Sequence, residues 1–392
     1  MKGDSNHNDT AINTTAISVT ISPKTVSSPT ITLSTSTYTY SGSACQPIPT
    51  VKDGTTTISS SEYTVSYSDN TNAGTATCTI SDVTGGNYTV SGSKTFTINP
   101  KALTITAKAQ TINYGSSIAT GTGQVTTSGL VSGDSLTAIT LTASTNQVPG
   151  GTIKPSAAST TKGASNYNIT YNTGNLTINK ATPTYTAPTA KTGLVYQDQA
   201  QYLVNFGTSF DGTVKYEVTL TNTKPSSTSG FNLVPTGTNA VTYYVWWYVQ
   251  GDSNHNDTAI SSTAITVSIA KANPTYTAPA PISNLVYNGN DQDLFTPGST
   301  SHGTIQFSPD GSTRWVDTVP YAETAGSYTA YWRLVGDNNH NDVAATAIIA
   351  IIAKATPSYT APTALVPTYT GSAQALVSAG SSTEGTFTYS TS

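Results

Sequence analysis

Apolar and polar residues alternate with a period of two along much of the chain. Clear examples are residues 95–98, 103–107 and 264–269. This pattern is typical of antiparallel strands that bury one face. Clusters of Gly, Asn, Asp and Pro interrupt it roughly every 8 to 12 residues, as expected for a sandwich. No stretch supports a long amphipathic helix. We therefore predict an all-β chain of antiparallel β-sandwich domains.

Two segments of sequence repeat along the chain. Residues 3–12 recur without change at 251–260, and a variant lies at 336–342. Residues 178–188 are matched at 269–279 and 352–362. These landmarks predict six segments: the C-terminal strand of an incomplete repeat at 1–24, repeat 1 at 25–100, repeat 2 at 101–180, repeat 3 at 181–271, repeat 4 at 272–354, and the N-terminal part of another incomplete repeat at 355–392.

The joints between the repeats contain proline and no flexible Gly/Ser run. Because proline fixes one backbone angle and restricts its predecessor, we expect the repeats to follow each other stiffly as an elongated rod. Ten-residue strands give about 35 Å for each repeat, or roughly 140 Å for four. Each repeat also ends with a lysine near the joint. We expect the ammonium group of this lysine to be solvated and to discourage edge-to-edge pairing of strands.

Composition narrows the function classes. The chain has 76 Thr and 47 Ser, and only 9% of its residues are charged, with a net charge of −4. Sixteen Lys and Arg over 392 residues make no basic surface for nucleic acid. There is no phosphate-binding glycine loop, nucleophile elbow or metalloprotease helix motif. We therefore expect no enzyme activity, no nucleic-acid partner and no membrane insertion within this segment.

Repeats 1 and 2 carry a resemblance to a known group of proteins. Repeat 1 contains Tyr-Ser-Gly-Ser-Ala at 40–44, Val-Lys-Asp-Gly-Thr at 51–55 and Asn-Ala-Gly-Thr-Ala-Thr at 72–77. Repeat 2 contains Leu-Thr-Ile-Thr-Ala at 103–107 and Asn-Tyr-Gly at 113–115. Repeat 1 resembles the tandem Ig-like repeats of large bacterial surface proteins, and repeat 2 resembles their MBG domain of the Tyr-Gly type.

The resemblance implies tandem Ig-like sandwiches in a secreted or surface-attached bacterial protein, used as a non-enzymatic stalk or adhesion module that projects a distal region. It brings no catalytic residues. The expected partners are neighbouring repeats of the same chain, and a host or matrix glycan or protein. Because both ends match only part of a repeat, we expect a longer natural array. We expect an extracellular location at the bacterial cell surface, and the lack of an export signal or anchor in this sequence says nothing against it.

Cys45 and Cys78 are the two cysteines of the chain, and both lie in repeat 1. In the extracellular setting that the resemblance implies, a disulfide between two core strands is the expected arrangement. The alternative is a pair of buried free thiols that pack as small apolar residues.

The repeated loop at 252–257 offers oxygen atoms at alternating positions. Asp252, Asn254 and Asn256 match the first half of a calcium loop, but Asp257 and Thr263 replace its glycine and its bidentate glutamate. The alternative is a turn between two strands, where Asn and Asp are common for local backbone reasons. We expect no resident cofactor, with Ca²⁺ as the one candidate.

An aromatic row lies on one predicted strand of repeat 3. Alternation places Tyr244, Trp246 and Tyr248 on the face opposite the predicted core. If this face is exposed, the row can stack on sugar rings, which would make residues 181–271 a carbohydrate-binding module. The alternative is that a loop or a neighbouring domain covers the row, because exposed apolar patches of that size are unusual.

Overall fold

The structure is a computed structural model that describes residues 1–12 and 14–390. The predicted segments 1–24 and 355–392 thus include a few positions outside the described residues. The described chain is built almost wholly of β-strands joined by turns, with three short 3₁₀ helices, which confirms the all-β prediction. Within the described residues, no helix is long and apolar enough to cross a membrane.

The chain divides into two compact units. The first comprises Met1–Thr182 with Ser253–Asn256, and the second comprises Pro183–Asp252 with Asp257–Ser392. The six-segment division drawn from the repeats stays a prediction, and its repeat names are kept below as labels for residue ranges.

Repeat 1 is a sandwich whose sheets have the strand orders β3-β9-β7-β6 and β2-β4-β5, with β1 paired to β8. The central strand alternates as predicted, with Ala76, Cys78 and Ile80 all facing inward. Gly54, at a φ of 60°, lets β4 return into β5 through a two-residue turn. The elements are β1 Lys24–Val26, β2 Thr30–Leu33, β3 Thr37–Thr39, β4 Pro49–Asp53, β5 Thr56–Ile58, a 3₁₀ helix Ser60–Glu62, β6 Tyr63–Ser68, β7 Gly74–Asp82, β8 Tyr88–Val90 and β9 Gly92–Asn99.

Repeat 2 is a second sandwich, with sheets in the orders β12-β10-β15 and β11-β16-β14-β13. Thr and Ser fill many of its outward positions, where they favour extended backbone without adding charge. The elements are β10 Lys101–Ala107, β11 Gln110–Asn113, a 3₁₀ helix Thr122–Gln124, β12 Val125–Ser128, β13 Leu136–Ala143, β14 Gly150–Thr160, a 3₁₀ helix Ala164–Asn166, β15 Tyr167–Asn172 and β16 Gly174–Asn179.

One apolar cluster continues from repeat 1 into repeat 2. It contains Tyr40 and Phe96 from repeat 1 together with Leu103, Ile105 and Ile153 from both sheets of repeat 2. A separate cluster, which includes Val51, Cys78 and Ile80, fills the rest of repeat 1. Removal of this surface from water is the main force that stabilises each sandwich.

Repeat 3 has fewer long strands. Its main sheet has the order β20-β22-β23, and short pairs of strands close the other side of its core. The elements are β17 Thr189–Ala190, β18 Gln201–Tyr202, β19 Val204–Asn205, β20 Gly212–Thr219, β21 Thr236–Gly237, β22 Thr242–Gly251 and β23 Ile265–Ser268.

Repeat 4 has the same plan, with a main sheet in the order β25-β31-β30-β28. Phe295, Phe307, Trp332 and Leu334 lie in its core. The elements are β24 Tyr276–Thr277, β25 Leu285–Val286, β26 Gln292–Asp293, β27 Ser299–Thr300, β28 Gly303–Ser308, β29 Tyr321–Ala322, β30 Gly326–Gly336 and β31 Val343–Ala353.

The strand predicted within 1–24 is not formed: the described residues before Lys24 contain no strand. In repeat 3 the equivalent segment, β23, pairs with the long strand β22. Among the described residues, residues 14–23 have no such neighbouring strand, so their alternating sequence has no partner with which to form backbone hydrogen bonds. Residues 355–390 form the isolated bridges Thr360 to Ser381 and Ala364 to Val377.

Cys45 and Cys78 are both buried free thiols, so the expected disulfide is wrong and the alternative holds in this structure. The physical reason is their placement, because Cys45 packs in the cluster shared with repeat 2 and Cys78 packs in the other cluster of repeat 1. Burial raises the pKa of each thiol above its ordinary value. Both side chains therefore act as small apolar residues of the core.

We predict that the folded protein resists thiol alkylation at pH 8, because burial restricts access and raises the pKa of each thiol. After unfolding in denaturant without reductant, mass spectrometry should find two alkylated cysteines. Two unmodified cysteines after unfolding would show that the disulfide exists.

Candidate functional site

The loop that the sequence repeats forms a tight turn held by its own side chains. In repeat 4, Asp337 Oδ1 accepts a hydrogen bond from the Asn339 N–H at 2.7 Å and lies 2.8 Å from Nδ1 of His340. The Gly336 N–H donates to Asp342 Oδ1 at 2.8 Å, which closes the base of the turn. The His340 hydrogen bond is the main cause that holds the pKa of Asp337 below its ordinary value. The turn therefore presents Asn339 and His340 in a fixed geometry.

Within the second unit, this turn docks on repeat 3. Asn339 Oδ1 accepts a hydrogen bond from the backbone N–H of Ala240 at 2.8 Å. The His340 ring meets the Tyr196 ring edge-to-face, with 5.2 Å between centroids. The His340 ring also stacks on the His302 ring, with 4.1 Å between centroids. An asparagine and an aromatic ring thus connect repeat 4 to repeat 3.

Repeat 2 makes the same pair of contacts with repeat 1, within the first unit. Asn166, only 2% exposed, accepts a hydrogen bond from the Ala73 N–H at 2.7 Å, and its Nδ2 donates to Asn72 Oδ1 at 3.1 Å. Tyr167 takes the place of the histidine and meets Tyr40 edge-to-face at 5.5 Å. The contact is therefore preserved although the turn sequence differs.

The segment Ser253–Asn256, also in the first unit, repeats the arrangement once more. Asn254 Oδ1 accepts from the Val148 N–H at 3.0 Å, and Asn254 Nδ2 donates to Gln147 Oε1 at 2.6 Å. The His255 ring meets Tyr114 edge-to-face at 5.1 Å. We call the Asn–aromatic pairs 166–167, 254–255 and 339–340 the docking pairs. The socket of each pair is the backbone N–H and the tyrosine ring that receive it: Ala73 with Tyr40, Val148 with Tyr114, and Ala240 with Tyr196.

Each docking pair is also tied to the start of its own repeat by parallel backbone pairing. Lys101 pairs with Tyr167, Ala181 with His255 and Ala272 with His340. In two cases the joint lysine adds a charged donor, because Lys180 Nζ donates to the His255 carbonyl and Lys271 Nζ donates to the His340 carbonyl, each at 3.1 Å. These two lysines therefore hold the docking turn in place. The solvated role expected for them from the sequence does not include this contact.

Asp134 supports the docking pair of repeat 2. Its Oδ2 accepts the Tyr167 hydroxyl at 2.7 Å, and its Oδ1 accepts the Thr161 hydroxyl at 2.5 Å and the Lys162 N–H at 3.1 Å. Burial by itself raises the pKa of Asp134, but these hydrogen bonds outweigh it and lower the pKa to about 2. Burial and the same carboxylate raise the pKa of Tyr167 to about 12. The carboxylate therefore fixes the tyrosine in its neutral, donating form.

The side chains considered for calcium have other partners. Asn254 binds Val148 and Gln147 as described, and Asn256 Nδ2 donates to the Lys180 carbonyl at 3.2 Å. Among the described residues, no group of three or more His, Cys, Asp or Glu side chains is placed to hold a metal ion. The turn alternative accounts for Asn254 and Asn256, while Asp252 begins the loop.

The exposed aromatic row, which the carbohydrate-binding alternative requires, is not found in the structure. Trp246 is 3% exposed and Tyr248 is 5% exposed, and Tyr244 is half-buried. Trp246 and Tyr248 pack against Phe231 and, at the edge of this cluster, against Ile260 and Ala264, which lie on the loops flanking β22. A sugar ring cannot reach Trp246 in this arrangement. The covered-row alternative is the one that the structure contains.

The docking pairs were missed by sequence reasoning, which treated 252–257 only as a turn or a calcium loop. The hydrogen bonds of their asparagine side chains join residues 93 to 107 positions apart, so no local pattern reveals them. A signal was available: an asparagine followed by an aromatic ring or histidine occurs near the end of each full repeat, at 87–88, 166–167, 254–255 and 339–340.

Comparison with known proteins supports one repeat directly. Residues 103–177 match the family model described as the MBG domain, YGX type. This confirms the resemblance drawn for repeat 2. No curated protein is similar enough to count as a match.

Similar solved structures come from multi-domain proteins. A three-Ig segment of titin is 12% identical, with 84% of this chain and 99% of that one covered and a TM-score of 0.22. Cadherin domains 3 to 6 of protocadherin gamma B2 are 10% identical, with 83% and 100% covered and a TM-score of 0.24. The ectodomain of human desmocollin-1 is 10% identical, with 84% and 80% covered and a TM-score of 0.18.

We predict that Asn339→Ala loosens the docking of repeat 4 on repeat 3, because the Ala240 N–H loses its acceptor. A backbone N–H left without its acceptor away from water costs up to about 1–3 kcal/mol, and this hydrogen bond is partly buried, so the Ala240 amide should exchange with solvent roughly 5 to 150 times faster. Hydrogen exchange measured by NMR gives this rate. Asn338→Ala, an exposed position in the same turn, is the matched control and should leave the rate unchanged. Equal rates in both variants would refute the assignment.

We predict that Asp134→Asn destabilises the first unit in a pH-dependent way. Since the folded pKa of Asp134 is about 2, below its ordinary value of 3.8, the stabilisation is fully present above about pH 4 and disappears as the pH falls towards 2. The difference in urea midpoint between the wild type and the variant should therefore shrink over that range. Asp291→Asn, an exposed carboxylate, is the control, and a constant difference for Asp134→Asn would contradict the prediction.

Proposed function

We propose that the chain is a non-enzymatic structural segment, a stalk or adhesion repeat array that belongs to a secreted or surface-attached bacterial protein and holds a distal functional region away from its anchor. The observation that carries the proposal is the recurrent docking pair. A flexible tether does not need a buried or half-buried asparagine at the joints within each unit, whereas a stiff spacer needs each repeat to be oriented by the one before it.

The match of residues 103–177 to an MBG domain supports the structural role. The polar but weakly charged surface fits an exposed extracellular array, since Thr and Ser on outward strand positions contact water without charge. The titratable side chains of the joints support the same interpretation, because Asp134, Asp337 and His340 are used in structural hydrogen bonds. Glycan recognition through Trp246 has no support, since the row is covered.

The test measures how far the chain holds its end from a surface. The full chain is tethered by its N-terminus to a supported bilayer, and a fluorophore at the C-terminus reports its height by distance-dependent quenching. Stacked repeats of about 35 Å predict a height that approaches roughly 140 Å with small fluctuation. The control is a 392-residue Gly/Ser chain, whose end-to-end distance is about 110 Å. Because this distance can point in any direction, the mean height of the control is lower than that of the repeats and its fluctuation is larger.

The variant Asn166→Ala combined with Asn339→Ala should lower the height and widen its distribution, whereas Asn338→Ala should not. A wild-type height no greater than that of the Gly/Ser chain would refute the spacer role.

A further inference from the structure

The strand β31 of repeat 4 leaves most of one edge of its sheet open. On one side it pairs with β30 from Val343 to Ile352. On the other side β25 pairs only with Ile352 and Ala353. Among the described residues, no other strand pairs with that side of β31. The backbone N–H and C=O groups of such an edge are a template for another strand.

The open edge is also apolar. Residues 343–353 contain neither a charged residue nor a proline. The outward side chains of Ile349 and Ile351 are 55% and 62% exposed, and Ala347 is exposed beside them. A β-bulge within 343–346 disrupts only the start of the strand. Because native sheets usually protect a long edge with a charge, a proline or a covering loop, the rest of β31 is suited to pairing.

The other repeats have polar residues where repeat 4 has Ile349 and Ile351. Counted from the isoleucine that ends each repeat, the equivalent positions are Thr95 and Thr97, Asn175 and Thr177, and Thr266 and Ser268. Thr266 and Ser268 are exposed although the complete repeat 4 follows them. A following repeat therefore does not cover this edge, and the apolar surface is a property of the side of repeat 4.

The backbone groups that face the open edge can be assigned from one hydrogen bond. The Tyr287 N–H, which follows β25, donates to the Ala353 carbonyl at 2.9 Å, so the backbone groups of Ala353 point to this side. Backbone groups of successive residues in a strand point to alternate sides. Those of Ala347 and Ile349 therefore point to the open edge, and two such residues on facing antiparallel strands exchange a pair of hydrogen bonds.

We infer that β31 pairs with β31 of a second copy of this chain, antiparallel about a two-fold axis at Ile348. Ala347 of each copy then lies opposite Ile349 of the other, so a small side chain packs beside a large one. Antiparallel pairing brings the Asp342 end of each strand towards the Lys354 end of the other, whereas parallel pairing brings like charges together. Both copies use the same surface, so the contact closes at a dimer. The inference does not depend on the stalk proposal.

Sedimentation of the full chain between about 10 μM and 1 mM tests this inference, over a range chosen for a small interface. The wild type should pass from monomer to dimer as its concentration rises. Ile349→Thr with Ile351→Ser, which introduces the residues of repeat 3, should weaken association at least about tenfold because it removes apolar surface that the dimer covers. Leu220→Thr, which changes an apolar residue of the same unit that is 65% exposed, is the matched control and should leave association unchanged.

A second variant tests the backbone pairing itself. Ala347→Pro removes an N–H that points to the open edge and keeps the pairing with β30, so it should also weaken association at least about tenfold. In the wild type, residues 346–350 should exchange amide hydrogens more slowly at about 1 mM than at about 10 μM, as measured by mass spectrometry. Circular dichroism checks that both variants fold. A wild type that stays monomeric at about 1 mM, or association that persists unchanged in both variants, overturns the inference.

Discussion

A hydrogen bond accepted by an asparagine side chain, buried at Asn166 and half-buried at Asn339, is the interaction on which the arrangement of the repeats within each unit depends. Asn166 and Asn339 each reach out of their own sandwich and accept a backbone N–H from the preceding repeat. A buried amide that loses its partners costs about 1–3 kcal/mol, so one relative position of the two repeats is strongly preferred over its neighbours. Apolar contact alone would tolerate sliding, because the hydrophobic effect has no direction.

The aromatic member of the docking pair can be tyrosine or histidine, because the contact depends on the flat shape of the ring more than on its chemical groups. Tyr167 and His340 both present a ring edge or face to a tyrosine of the preceding repeat, at 5.5 and 5.2 Å. Each also has a carboxylate that fixes the ring, Asp134 for the tyrosine and Asp337 for the histidine. Different turn sequences therefore reach the same joint, provided that the asparagine and a hydrogen-bonded ring are kept.

Alternation and repetition were enough to predict the strands, because both depend on near neighbours in sequence. Residues 95–98 and 103–107 became strands as their period required. Contacts between distant residues were not predictable in this way. The cover over Trp246 comes from Phe231 and Ile260, which lie on irregular loops without a periodic signal. The fate of the cysteines likewise depends on which of two core clusters each side chain enters, which spacing does not determine.

The most direct test of the account is the distance distribution between repeats 1 and 2 in the full chain. Spin labels at Thr57→Cys and Thr127→Cys, both exposed positions, report it by pulsed electron paramagnetic resonance, while the buried Cys45 and Cys78 stay unlabelled. If the asparagine orients the joint, the distribution is narrow in the otherwise wild-type chain and broad when Asn166→Ala is added. Distributions of equal width would contradict the central claim.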